Sequence, residues 1–169
     1  MLNLKPAKSS DFFWHVCFQT LIESNEKYAD FKNAYGKEAD PVNRLHELMD
    51  KEFCIYIIGP MSQRPYYNIA KFYEAKHKLE SYGVKVVTPH DIIDADTDWL
   101  SAVIKSLRAL NEATVVCRLE SECGVEESIG TGIENLACIG AEIPVFKLDV
   151  LIDFMDVCCA ERDDRIDYL

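Results

Sequence analysis

The run Ser128-Ile-Gly-Thr-Gly-Ile-Glu134 brings a hydroxyl, two glycines and a carboxylate close together in the chain. It follows an apolar stretch that reads as a strand, and helical periodicity follows it, so a helix is predicted from about Thr131 to Ile139. The unpaired N–H groups at such a helix start, with the Ser128 hydroxyl beside them, make a site for an anion, commonly a phosphate. Gly130 and Gly132 allow a ligand to approach the backbone closely, and Glu134 lies about one turn inside, where its carboxylate can face the same crevice. A plainer reading stays open: a glycine-rich turn with a glutamate that merely suits the helix dipole. The run is not a dinucleotide-binding fingerprint. The first strand–helix turn has only Gly59, and there is no phosphate-loop lysine.

Alternating strands and helices must position these residues. FCIYIIG, ending at Gly59-Pro60, reads as a buried parallel strand. A helix from Tyr67 to Tyr82 follows, carrying Ile69, Phe72, Ala75 and Leu79 and closed by Gly83. VKVVTP is the second strand. Asp96 or Thr97 then caps a helix bearing Leu100, Val103, Ile104, Leu107 and Leu110. TVVCRL and IPVF are the third and fourth strands, and VLIDFMDVCC is a last helix before a polar tail. Such repeated units imply a mostly parallel α/β sheet of four to five strands, covered on both faces, with ligands beyond the strands' carboxyl ends. Candidate positions therefore follow Gly59, Pro89, Leu119 and Phe146. Upstream, Ser10 and Asp11 cap a helix bearing Phe13, Val16, Cys17 and Leu21. Asp40-Pro41 opens another with Val42, Leu45 and Met49. Residues 1–51 thus form an N-terminal helical extension to an α/β domain spanning 52–169.

Composition narrows the possible functions. The chain has 169 residues, 29 Asp plus Glu and 18 Lys plus Arg, for a net charge of −11. This excess of acid argues against a general nucleic-acid binder. No apolar run reaches the roughly 18 residues of a membrane span, and MLNLKPAKSSDFFW lacks the apolar core of a signal peptide. The seven cysteines show no CxxC spacing, and the histidines are scattered, so neither zinc nor another cofactor is expected. A reducing cytoplasm is the expected compartment. Adjacent Cys158 and Cys159 fit either helix packing or a redox pair.

Tyr56-Ile-Ile-Gly59-Pro60-Met61, with the Ser-x-Gly-x-Gly-x-Glu run ending at Glu134, resembles the nucleoside 2-deoxyribosyltransferase-like superfamily. The likeness is greatest to its 2'-deoxynucleoside 5'-monophosphate N-hydrolase branch and covers about residues 53–147. The resemblance implies a Rossmann-like (flavodoxin-like) three-layer sandwich and cleavage of an N-glycosidic bond. It gives Glu134 the anomeric carbon, to attack or to support electrostatically, and places Tyr56 against the sugar and this carboxylate. Ser128, Gly130 and Gly132 hold the 5'-phosphate, and Gly59, with Pro60 and Met61 beside it, lines the ligand. It also implies a homodimer or larger homo-oligomer. The chemistry agrees with first principles: loss of the base leaves an oxocarbenium-like sugar, which a carboxylate on the anomeric face stabilises.

The chain also departs from this pattern. Members carry an Asp in the helix before the third strand and another at the strand start, where Ser106 and Thr114 stand here. Asp94, Asp96 and Asp98 can substitute as proton donors or serve as caps, and His90 is a titratable or base-stacking candidate. Arg64 lies in the loop that crosses base and phosphate, about two positions beyond the branch's arginine. Tyr66 and Tyr67 either cover the base or start the helix. Glu120, Glu122, Glu126 and Glu127 precede Ser128; facing the pocket, they would favour an uncharged nucleoside. The expected ligand is a nucleotide or nucleoside, for hydrolysis, deoxyribosyl transfer or non-catalytic binding.

Overall fold

The structure is a computed structural model that describes residues 9–26, 41–62, 64–120 and 128–166. Most of the linker before Pro41, the Asp40 cap, Cys123, and Glu122, Glu126 and Glu127 lie outside the described residues. The elements run α1 (Ser9–Ser24), α2 (Pro41–Leu48), β1 (Cys54–Ile58), α3 (Ile69–Glu80), β2 (Lys85–Val87) and α4 (Pro89–Ile92). They continue with α5 (Trp99–Asn111), β3 (Val115–Arg118), α6 (Ile129–Gly140), β4 (Val145–Lys147) and α7 (Leu148–Ile166). The four strands are all parallel in the order β2-β1-β3-β4, with Tyr56 beside Val87 and Val116, and Arg118 beside Ile58 and Lys147.

Side-chain alternation along the strands builds the three layers of this Rossmann-like sandwich. Ile55, Ile57, Val115 and Cys117 point to one face, where they meet Phe72 and Leu79 of α3, Leu151 and Met155 of α7, and Trp14 and Phe18 of α1. Tyr56, Ile58 and Val116 point to the other, against Leu110 of α5 and Cys138 of α6. Because α3 and α6 cover opposite faces, the chain leaving β1 diverges from the chain leaving β3. That divergence is the switch point where open α/β sheets leave a crevice. Gly59 at the end of β1 is required for packing: a Cβ there would lie 2.9 Å from the Leu119 Cβ and 3.3 Å from the Phe72 ring. Gly83, at φ +80°, ends the turn after α3 in the left-handed conformation that only glycine adopts cheaply. No helix among the described residues is long and apolar enough to cross a membrane.

Several local expectations change. The buried stripe of α1 is Asp11, Trp14, His15, Phe18 and Ile22, whereas Val16 is exposed and Phe13, Cys17 and Leu21 are half-buried. The helix after β2 is capped by Asp98, whose side chain accepts from the Ser101 N–H at 2.9 Å, and not by Asp96 or Thr97. Thr88-Pro89-His90-Asp91 opens a short helix through a capping box, where the sequence predicts only the end of a strand. The charged residues after Cys159 continue α7 as far as Ile166.

The N-terminal extension shares its core with the sheet. The Phe18 ring packs against Phe53 at 5.2 Å, Phe146 at 6.1 Å and Phe154 at 4.9 Å. Replacing it with alanine is therefore expected to lower the unfolding free energy by about 3–5 kcal/mol. Urea denaturation monitored by far-ultraviolet circular dichroism checks this, and a loss below about 1 kcal/mol would mean that α1 only rests on the domain.

Candidate functional site

A cavity of about 520 Å³ lies over the carboxyl ends of β1, β2 and β3. Each of the divergent connections supplies a wall. The segment after β1 contributes Gly59, Met61, Ser62, Tyr66, Tyr67 and Ile69; the segment after β2 contributes His90, Ile93, Asp94 and Thr97. Helix α5 presents Trp99, Val103 and Ser106 along one face, and the start of α6 presents Ser128, Gly130, Thr131 and Glu134. The walls are mostly apolar and aromatic, with a few polar groups converging, as in most small-molecule sites.

The helix start is built as its sequence suggests. Ser128 caps α6, its hydroxyl oxygen accepting from the Thr131 N–H at 3.2 Å and lying 2.7 Å from the Thr131 hydroxyl. Gly130 has open space where a Cβ would stand, so a ligand can reach its backbone. Glu134 follows on the inward face of the helix and is only 6% exposed. Burial pushes its carboxyl up to about 8, against a weaker pull from the Ser106 hydroxyl beside it. With its pKa near 8 the carboxyl is largely protonated at neutral pH, a perturbation that burial alone produces.

Tyr56 stands behind this carboxyl. It is fully buried on β1 and is not on the cavity wall, but its hydroxyl lies beside Ser106, and burial together with the nearby Glu134 charge raises its pKa, so that it stays protonated. The hydroxyl has no hydrogen-bond partner in place. Thr114, the second position at which an Asp is implied, instead accepts from the Cys54 N–H at 3.1 Å at the start of the strand ladder.

The aromatic wall depends on an unusual turn. Tyr66, Tyr67 and Asn68 all have positive φ, at 49°, 53° and 61°. Each left-handed non-glycine residue costs roughly 1–2 kcal/mol, so the turn needs outside support. Asn68 supplies part of it by donating its side-chain N–H to the Pro60 carbonyl at 3.0 Å. His90 supplies more, its Nε2 donating to the Tyr67 carbonyl at 3.1 Å. Burial lowers the His90 pKa, with the Tyr67 carbonyl opposing, so the ring is neutral at pH 7 with its lone pair on Nδ1.

The sequence candidates therefore divide. Gly59, Met61, His90, Ser128, Gly130 and Glu134 meet on one cavity. Tyr56 lies behind it, Pro60 lends its carbonyl to the turn, and Arg64 and Gly132 are not on the wall. Of the aspartates after β2, Asp94 reaches the cavity and Asp98 is a cap. Trp99, Val103 and Thr131 on the wall were not singled out as ligand contacts by sequence. The available signal was the stripe Trp99, Val103, Ser106, Leu110, in which a serine interrupts an apolar helix face. Among the described residues, no lysine or arginine lines the cavity, and no group of three His, Cys, Asp or Glu side chains is placed to hold a metal ion.

Residues 53–145, more than half of the chain, match a family described as a domain of unknown function, DUF4406. No curated protein matches the chain.

The buried carboxyl has a measurable signature. Its folded-state pKa lies above the unfolded value of 4.5. Folding is therefore penalised progressively as pH rises from about 4.5 towards 8, by a total on the order of 4 kcal/mol. Glu134→Gln removes this penalty. Its unfolding free energy is expected to match the wild type near pH 4.5 and to exceed it increasingly up to pH 8, by chemical denaturation. A constant difference across that range would show that Glu134 is ionised throughout.

Proposed function

Since the chain belongs to DUF4406, whose description assigns no activity, we propose from the site itself that the protein hydrolyses the N-glycosidic bond of a 2'-deoxynucleoside 5'-monophosphate. The observation that carries this reading is one buried carboxylate, Glu134, on the floor of an aromatic-walled cavity, a few residues inside a helix start fit for an anion. In this reading the base lies between Trp99 and the Tyr66–Tyr67 turn. The sugar then sits over Glu134, and the 5'-phosphate meets the N–H groups near Ser128, Gly130 and Thr131. Ionised Glu134 attacks C1', or stabilises the positive charge there, as the C1'–N bond breaks and its electron pair leaves with the base. The base takes a proton, and water then adds to C1', breaking any bond C1' has made to Glu134 and giving up a proton that balances the one taken by the base, to leave free base and sugar 5-phosphate. The resemblance of Tyr56–Met61 and Ser128–Glu134 to nucleoside deoxyribosyltransferase-like proteins supports the same chemistry.

One observation favours a second substrate. With no lysine or arginine on the described wall, an uncharged nucleoside suits the cavity, and a second base in place of water makes the reaction a deoxyribosyl transfer. Chromatography of free base from a panel of nucleosides and their ribo- and deoxyribo-5'-monophosphates, with and without a second base, separates these outcomes. Base released from a monophosphate, and lost in Glu134→Ala, is expected. A new nucleoside formed only with a second base identifies the transferase. Tight nucleotide binding with no base released from any substrate identifies a non-catalytic binder and overturns the enzymatic reading.

Glu134 must be ionised to act, so kcat/KM is expected to rise about tenfold per pH unit below its pKa of about 8 and to level above it. A profile flat from pH 6 to 9 would remove Glu134 from the ionising step.

Pairing of copies belongs to the same proposal. Helices α5 and α6 pack together and expose Leu100, Ile104, Ile129 and Leu136. Leu136 is 70% exposed, and Leu136→Glu is expected to reduce the solution mass to that of one chain by light scattering.

A further inference from the structure

Three buried polar groups from three different elements come together, Ser106 of α5 and Glu134 of α6 on the cavity and Tyr56 of β1 behind them. Their exposures are 0%, 4% and 6%. The Ser106 hydroxyl lies beside both the Tyr56 hydroxyl and the Glu134 carboxyl, and Ser106 and Glu134 both line the cavity that Tyr56 stands behind. A hydroxyl has one proton to donate and lone pairs with which to accept, whereas an ionised carboxylate only accepts. With Glu134 ionised, the protons can therefore be ordered in one direction: Tyr56 O–H to the Ser106 oxygen, and Ser106 O–H to Glu134. With Glu134 protonated, the order reverses, and Glu134 donates to Ser106 while Ser106 donates to Tyr56. The buried Tyr56 hydroxyl, now without a partner, gains one in either order.

We infer that Ser106 is a positioning residue through which Tyr56 acts on Glu134, the three forming a hydrogen-bond chain that serves both protonation states of the carboxyl. The use of this chain in base release rests on the function proposed above; the chain itself needs no substrate in order to form. Other ionisable groups surround it. Cys138 lies on α6 beside Glu134, and Arg44 of α2 acts on Cys138. Asp91 acts on Tyr56, while His90 and Asp94 line the cavity. All of these are unchanged by substitutions at 56 and 106.

Nuclear magnetic resonance of carboxyl-labelled glutamate, with Glu134→Gln to assign the signal, gives the Glu134 titration midpoint without substrate. Ser106→Ala is expected to raise it by about one pH unit, the effect of losing a hydrogen bond to a charged group. Ser106→Thr should keep the wild-type midpoint. Tyr56→Phe should raise it by less, and the double variant Tyr56→Phe/Ser106→Ala should titrate with Ser106→Ala alone, because in the chain the tyrosine hydroxyl reaches the carboxyl through the serine. If Ser106→Ala does not fold, Ser106→Cys, with its weak thiol donor, gives the same comparison. An unmoved midpoint in the serine variant, or additive shifts in the double variant, overturns the inference. The expected titrations in a protein that releases no base would retain the chain and reject the proposed function; base release with unmoved titrations would do the reverse.

Discussion

Because α3 and α6 lie on opposite faces of the sheet, the connections that leave β1 and β3 have to separate at the carboxyl ends of these two strands. Everything at the site follows from this parting. It gives the cavity a floor of strand ends and a wall from each departing connection. It also turns the Glu134 face of α6 inward over the buried side of β1 and α5. A carboxyl at that place is cut off from bulk water by the packing that closes the sheet, and its raised pKa results from where the topology puts it.

That position sets opposite demands on stability and chemistry. A neutral carboxyl is cheap to bury, but an ionised one is useful to a positively charged sugar. The surroundings are intermediate: Ser106 offers one hydroxyl, Tyr56 stands behind it, and no cation on the described wall neutralises the group. The aromatic wall shows a similar balance. Three successive left-handed residues are unfavourable by themselves, and the Asn68–Pro60 and His90–Tyr67 bonds hold them in place. Local strain at a ligand-facing turn, held by its neighbours, is a common price of placing side chains where regular structure would not.

The strands and the glutamate helix were legible in the sequence because their signals are local. Cys54–Ile58 is a continuous apolar run ended by Gly-Pro, and Ser128 precedes glycines and helical periodicity. What was not legible depended on distant partners or on competing local signals. Asp94, Asp96 and Asp98 are equally good caps by type, and only the path of the chain selects Asp98. The left-handed turn at Tyr66–Asn68 has no glycine to announce it and depends on His90 and Pro60. In α1 residues 12–18 are all apolar or aromatic, so the buried stripe is set by which side chains meet Phe53 and Phe146. Ser106 reads from sequence as a gap in a pattern; its neighbours turn it into a contact.

The packing of α1 against the last strand and last helix also bears on the order of synthesis. Phe18 emerges early, while its ring partners Phe146 and Phe154 belong to elements made near the other end of the chain. At about 5–20 residues per second, the apolar stripe of α1 spends several seconds with only part of its final cover. During that time its apolar side chains are open to contacts that the finished fold excludes. Helix α1 is thus made well before the strand and helix that complete its cover, and it is finished only when they arrive.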